Sequence, residues 1–159
     1  MQTDNEILLT AGGLKKIEHE LEELRSVHRK RVADRIRDSK QFGEFSENSE
    51  YEDAKTEQAF VEGRIEELKQ VLMHASVIDE NEVMTDVVGV GAIVKVRDLE
   101  NNDEWEFTIV GSIEADPAVD KISNESPVGE SLMGRKVGDI TEVEIPAGLA
   151  RYQIVSIRK

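Results

Sequence analysis

The sequence predicts an α+β protein in which a long antiparallel helical hairpin precedes a small mixed domain, and three observations carry that reading. The first half is nearly free of helix breakers: no Gly or Pro occurs from Leu14 to Phe42, and Gly63 is the only Gly between Glu44 and Val88. All three prolines, Pro117, Pro127 and Pro146, fall in the second half. Apolar residues recur at helical spacing before residue 80 and in short strand-like runs after it.

Leu14, Ile17, Leu21, Leu24 and His28 are spaced 3, 4, 3 and 4, as along the seam of a coiled coil, and Val32 and Ile36 continue the stripe with a shift. Ala54, Gln58, Val61, Ile65, Leu68, Leu72 and Ala75 draw a second stripe at spacings of 4, 3, 4, 3, 4 and 3. If the chain reverses between the stripes, Leu24 faces Leu68, Leu21 faces Leu72 and Ile17 faces Ala75. The reversal is expected within residues 42–51, where Gly43 suits a helix C-cap and Ser46, Asn48 and Ser49 suit N-caps. Arms of about 30 residues would reach on the order of 45 Å. Thr10, ahead of Gly12 and Gly13, is the expected cap of the first helix. The acidic run Asp79-Glu80-Asn81-Glu82 marks the exit, so the expected domains are 1–79 and 80–159.

Beyond the boundary, 92–97 and 105–110 read as strands joined by a turn at Asn101-Asn102-Asp103, with further strands at 139–145 and 151–157. One short helix is expected between them, started by Pro127 and stopped by Gly134.

The chain has 159 residues and a formal net charge of −14, which argues against a protein that binds nucleic acid tightly unaided. It has no cysteine, hence no disulfide framework and no sulfur metal site, and its three histidines are scattered without ligand spacing. No run of 18 apolar residues and no signal-peptide pattern is present, so a cytoplasmic protein without a membrane partner is expected.

Charge is sorted locally. Residues 25–40 hold seven basic side chains, Arg25, Arg29, Lys30, Arg31, Arg35, Arg37 and Lys40, against Asp34 and Asp38. A solvated helix face laced with ion pairs accounts for such a run as well as contact with RNA phosphates does, the candidates being Arg29, Arg31, Arg35, Arg37 and Lys40. Residues 41–53 then hold Glu44, Glu47, Glu50, Glu52 and Asp53 with no basic residue. Clustered carboxylates repel one another unless a cation joins them. Glu44 and Glu47, three apart across the turn, could aim at one point, and carboxylate oxygens suit Mg²⁺. Two acids alone bind such an ion weakly, which fits a pair that completes a metal site held jointly with a partner enzyme.

The segment Phe42-Gly43-Glu44-Phe45-Ser46-Glu47-Asn48-Ser49-Glu50-Tyr51, continued by Ala54-Lys55 and by Glu57 to Ile65, resembles the signature of the Gre transcript-cleavage factors. So do Ile109 to Ser112, Glu114 to Pro117, Ile122 to Pro127 and Gly134 to Asp139, and the acidic balance is more similar to the GreA branch than to the more basic GreB branch. The resemblance implies an FKBP-like second domain that grips the rim of the RNA polymerase secondary channel, with Asp116, Pro117, Ser123 and Pro127 in the rim-binding loops. Ordinary turn chemistry explains the same four residues. It further implies that the hairpin enters the channel and that Glu44 and Glu47 are the catalytic pair. They would help to hold Mg²⁺ and position the water that attacks the 3′ region of nascent RNA in a backtracked complex. Gly43, Asn48 and Ser49 would shape the tip, and Tyr51 would stack on a base or pack the hairpin. No independent enzymatic activity is expected, because the reaction would be the polymerase's own.

One departure stands out. The family's Gly-Asp-Leu-Ser-Glu-Asn reads Gly-Glu-Phe-Ser-Glu-Asn here, with Glu44 and Phe45 replacing Asp and Leu. The extra methylene motivates an alternative, a non-cleaving regulator or inhibitor that occupies the channel. A third reading, a chaperone or scaffold with no transcriptional role, rests on the long seams and the implied FKBP-like domain.

Overall fold

A computed structural model describes residues 6–40 and 49–159, and its class is α+β. The described residues divide by contact into two compact units: Lys15–His74, and a second that joins the chain up to Leu14 with Ala75–Lys159. A single boundary near residue 79 was expected, and the contacts give two. The reason is a parallel pairing of β1 (Ile7–Thr10) with β2 (Ala75–Ile78), in which Leu9 lies opposite Val77. Ala75, expected at the end of the helical seam, is therefore in a strand. The pairing of two four-residue strands from distant parts of the chain leaves no local periodicity to read.

The first unit is helical. α1 (Ala11–Glu23) passes through a π-helical turn at Leu24–His28 into α2 (Arg29–Lys40), and α3 (Ser49–His74) packs against them. The arms run antiparallel: Arg64 of α3 reaches Glu20, Glu62 reaches Arg29 and Glu57 reaches Arg35. Ile17, Leu21, Leu24 and Val32 are buried on one arm, and Ala54, Val61, Ile65, Leu68 and Val71 on the other. Val71 takes the buried place expected of Leu72, which is half-buried, as are Leu14, His28 and Gln58.

The shift in the stripe after Leu24 has a structural cause. In a regular α-helix the eight residues from Leu24 to Val32 would rotate the stripe ~80° past two full turns. A π turn takes up one extra residue, which recovers about 100° and returns Val32 to the seam, where it is 2% exposed. Within that turn the Arg29 N–H donates to the Leu24 carbonyl, and the Ser26 hydroxyl donates to the Glu22 carbonyl at 2.7 Å.

The second unit is built on a five-stranded sheet in the order β5-β4-β3-β7-β6. Its strands are β3 (Ile93–Asp98), β4 (Glu104–Val110), β5 (Lys121–Ser123), β6 (Ile140–Ile145) and β7 (Gly148–Arg158), with β5 alone pairing in parallel, on β4. Alternation sets the two faces. Val94 and Val96 of β3 and Tyr152, Ile154 and Ile157 of β7 point into the core with Ile109 and with Leu132 of α4 (Pro127–Leu132). The other face carries ion pairs across the strands, including Arg97 to Glu104 at 2.7 Å and Arg158 to Glu106 at 2.9 Å. A bulge opposite Lys95 and Val96 shifts the β3–β7 register. The expected helix at Pro127 is present: the Ser126 hydroxyl accepts the Gly129 N–H, and Gly134, just beyond the end, has φ +78°.

The start of α1 is tied to this unit. The Glu114 carboxylate accepts the Thr10 N–H at 2.7 Å and the Thr10 hydroxyl at 2.6 Å. That hydroxyl in turn accepts the Gly13 N–H at 3.1 Å, so Thr10 is the cap that the sequence indicates. A Cβ on Gly13 would stand 2.2 Å from the Glu114 carboxyl carbon, and one on Gly111 would stand 2.1 Å from the Leu8 carbonyl oxygen. Among the described residues no helix is long and apolar enough to cross a membrane.

Two outcomes follow in denaturation experiments. Gly13→Ala displaces the Glu114 carboxylate and destabilises by about 1–2 kcal/mol. In the Glu114→Ala background the same change is neutral or stabilising, because Ala is the better helix former; additive losses in urea melts would contradict the contact. The second concerns pH. The Arg64 guanidinium hydrogen-bonds Glu20 and holds its carboxyl below the ordinary value of 4.5 against an opposing desolvation. The folded value is the depressed one, so the stabilisation is present above about 4.5 and is lost as pH falls through the folded value. The melting-temperature gap between the wild type and Arg64→Gln should therefore shrink from about pH 6 to about pH 3; a gap that widens on acidification would be inconsistent with this pair.

Candidate functional site

In the chain, the acidic segment lies between the end of α2 and the start of α3. Gly43, Glu44, Glu47 and Asn48 lie outside the described residues, as does the turn expected around residue 46. Ser49 opens α3 and is exposed, and Tyr51, two residues on in the same first turn, is half-buried. Glu50 and Glu52 occupy the first turn of α3, where unsatisfied N–H groups and the helix dipole favour negative charge. Part of the acidic cluster is thus explained by the helix start alone.

The seam changes character towards these ends. Ser39 comes seven residues after Val32, and Ala54 seven before Val61, so each continues the buried stripe of its own arm towards the described ends. Ser39 is 3% exposed and donates its hydroxyl to the Ile36 carbonyl at 2.8 Å, while Ala54 is fully buried. Small side chains replace branched ones, so the arms bury less apolar surface here than at Leu24 and Leu68.

Ion pairs occupy the flanks. Arg29 forms a two-pronged pair with Glu62, Nε to Oε2 at 2.9 Å and Nη2 to Oε1 at 2.8 Å. The hydrogen bond raises the pKa of Arg29 and lowers that of Glu62. Arg35 reaches Glu57 at 2.7 Å and Glu50 at 3.5 Å, and Arg31 lies 3.8 Å from Glu57. The hydrogen bond to Glu57 is the main reason that the Arg35 pKa lies above its usual range. Arg37 pairs along its own arm with Asp34 and Asp38, each at 3.4 Å. Arg31, Asp34, Arg35, Asp38, Ser39 and Glu50 line a cleft between the arms.

Of the basic residues that the sequence offers as RNA contacts, Arg29, Arg31, Arg35 and Arg37 are therefore engaged with carboxylates, as in an ion-paired helix face. Lys40, the last residue of α2, is exposed. Their partners Glu50, Glu57 and Glu62 were not anticipated. The signal was available: in the register that pairs Leu24 with Leu68, the flanking charges of the two arms fall opposite one another.

In the sheet unit, Asp116 and Pro117 are exposed in a tight turn. The Asp116 carboxylate accepts the Ala118 N–H at 3.1 Å, and its backbone exchanges hydrogen bonds with Lys121 at 2.8 and 3.1 Å. Exposed Ile113 and Val119 flank this turn in the chain. Pro127 is exposed at the start of α4. Ser123 is buried: its hydroxyl accepts the Glu125 N–H at 2.9 Å and lies 3.0 Å from the Ser112 hydroxyl, so it organises the loop from within. Asp116, Pro117 and Pro127 are thus presented outward, and Ser123 is not. Among the described residues no group of three or more Asp, Glu or His side chains could hold a metal ion.

Comparison with known proteins accounts for both units. Residues 7–77 match the family model of the transcription elongation factor N-terminal domain, and residues 82–159 match that of the transcription elongation factor GreA/GreB C-terminal domain. The transcription elongation factor GreA of Acetivibrio thermocellus is 54% identical over 159 residues, covering 100% of both chains. That of Alkaliphilus oremlandii is 55% identical over the same length, again covering 100% of both. Among solved structures, Gfh1 of Thermus aquaticus matches at 27% identity over 98% of this chain and 99% of that one, with a TM-score of 0.45. With both family models matched in order and full-length relatives above one-half identity, the chain belongs to the GreA/GreB transcription elongation factor family and is of the GreA type.

Proposed function

We propose that this protein acts on RNA polymerase as a transcript-cleavage stimulatory factor, with the two arms forming a coiled-coil hairpin that enters the secondary channel and carries residues 42–51 to the active centre. The observation that carries the reading is the coincidence of full-length identity to GreA proteins with an acid-rich stretch of sequence that joins the end of α2 to the start of α3. The FKBP-like sheet unit grips the channel rim through Asp116, Pro117 and Pro127, with Ser123 holding the loop in shape.

Glu44 and Glu47 are the catalytic pair. Their donor chemistry, two carboxylates with no sulfur or imidazole beside them, fits Mg²⁺ held jointly with the polymerase. When bound, that ion supplies Lewis-acid stabilisation of charge on the phosphodiester. The carboxylates accept hydrogen bonds from the attacking water and orient it towards phosphorus. Gly43, Asn48 and Ser49 set the course of the chain that presents them, and Tyr51 packs or stacks beside it. Arg29, Arg31 and Arg35 pair across to α3 and serve the arms first, whereas Arg37 pairs with Asp34 and Asp38 of its own arm, so Lys40 and then Arg37 are the nearer contacts for the nascent RNA 3′ segment. The polymerase performs the bond cleavage, and the factor contributes ligands to a site that it does not contain.

The replacement of Asp by Glu44 supports a second reading, a channel-binding regulator or inhibitor that does not cleave. A stalled, backtracked complex separates the two. Added protein and Mg²⁺ should release short 3′ RNA fragments above the intrinsic rate; absence of that release would favour the regulator. Glu44→Ala with Glu47→Ala should lower the release rate by about 10²-fold or more while polymerase pull-down is unchanged. Undiminished release by the double variant would refute the assignment.

A further inference from the structure

We propose that Arg35 is a positioning residue, a clasp that holds the first two turns of α3 against α2 through Glu50 and Glu57; its effect on cleavage rests on the function proposed above. Four observations lead there. Arg35 is the one guanidinium of the described residues that reaches two carboxylates of the opposite arm, at 2.7 Å to Glu57 and 3.5 Å to Glu50. Glu50, Ala54 and Glu57 lie at spacings of 4 and 3, on one face of α3, so the two acids bracket the fully buried Ala54. The buried residues of the two arms nearest the clasp in sequence are the small Ser39 and Ala54, so less apolar surface is buried there than at Val32, Val61 and Leu68. Glu50 lies one residue inside the start of α3, so whatever fixes its carboxylate fixes the point from which the acidic segment leaves the helix.

Exposed ion pairs are weak singly and screened by salt. A clasp of this kind gives local order at the arm ends while contributing little to global stability. Arg35→Ala should therefore loosen the start of α3 without melting the arms, which Val32, Val61, Ile65 and Leu68 continue to hold.

The test uses the full chain. Amide exchange at Asp53–Gln58, beyond the first-turn N–H groups that lack helical partners, should accelerate about tenfold in Arg35→Ala. It should be restored in Arg35→Lys, and exchange at Ile65–Leu68 should not change. In the cleavage assay, the maximal rate at saturating protein should fall about tenfold in Arg35→Ala, with the half-saturating concentration within about twofold of wild type and recovery in Arg35→Lys. Unchanged exchange at Asp53–Gln58, or exchange that accelerates equally along the whole of α3, overturns the clasp. If the wild type stimulates no cleavage, the functional reading fails and the exchange measurement still decides the clasp.

Discussion

The helical unit depends on one constraint: two antiparallel arms, each with a single apolar stripe, stay together only where the layers across the seam match in size. Ile17, Leu21, Leu24 and Val32 on one arm and Val61, Ile65, Leu68 and Val71 on the other are all buried, and each such side chain contributes about 1.5–3 kcal/mol on burial. The match would fail after Leu24 in a regular helix, and the π turn at Leu24–His28 restores it. Irregular helix geometry here serves regular packing.

Towards the acidic segment the same constraint is met differently. The buried positions become the small Ser39 and Ala54, which add little apolar area, and the flanks carry Arg29 with Glu62 and Arg35 with Glu57 and Glu50. The arms thus pass from hydrophobic to ionic cohesion along their length. The arm ends nearest the acidic stretch are held by interactions that depend on charge. In the sheet unit, cohesion is of the ordinary kind, a face of Val and Ile closed by Leu132, with backbone contact at Gly111 and a carboxylate cap from Glu114 adding what side-chain packing does not.

Much of this was legible in the sequence. The 3,4 spacing marked both helical arms, Thr10 and Pro127 marked helix starts, and the four longer strands lay in runs of alternating or continuous apolar residues. Strands β1, β2 and β5 were not legible, because each is four residues or fewer and is defined by a partner distant in sequence. Val71 displaced Leu72 on the seam because the side chains turn with the actual helix and not with an ideal heptad. The basic strip was visible, but its ion pairing was not, since composition counts charges and only register places them opposite one another. Ser123 matched a motif and proved to be an internal support, whereas Asp116, Pro117 and Pro127 matched and are exposed.

The central claim is that Glu44 and Glu47 complete a site belonging to another enzyme. Its most direct test is an electron-microscopy map of this protein bound to a backtracked RNA polymerase complex. The account predicts the arms within the secondary channel and both carboxylates at the polymerase active centre, with an oxygen of Glu44 or Glu47 at about 2.0–2.1 Å from a Mg²⁺ ion. A map with the arms outside the channel, or with both carboxylates turned away from the metal and the RNA, would contradict it.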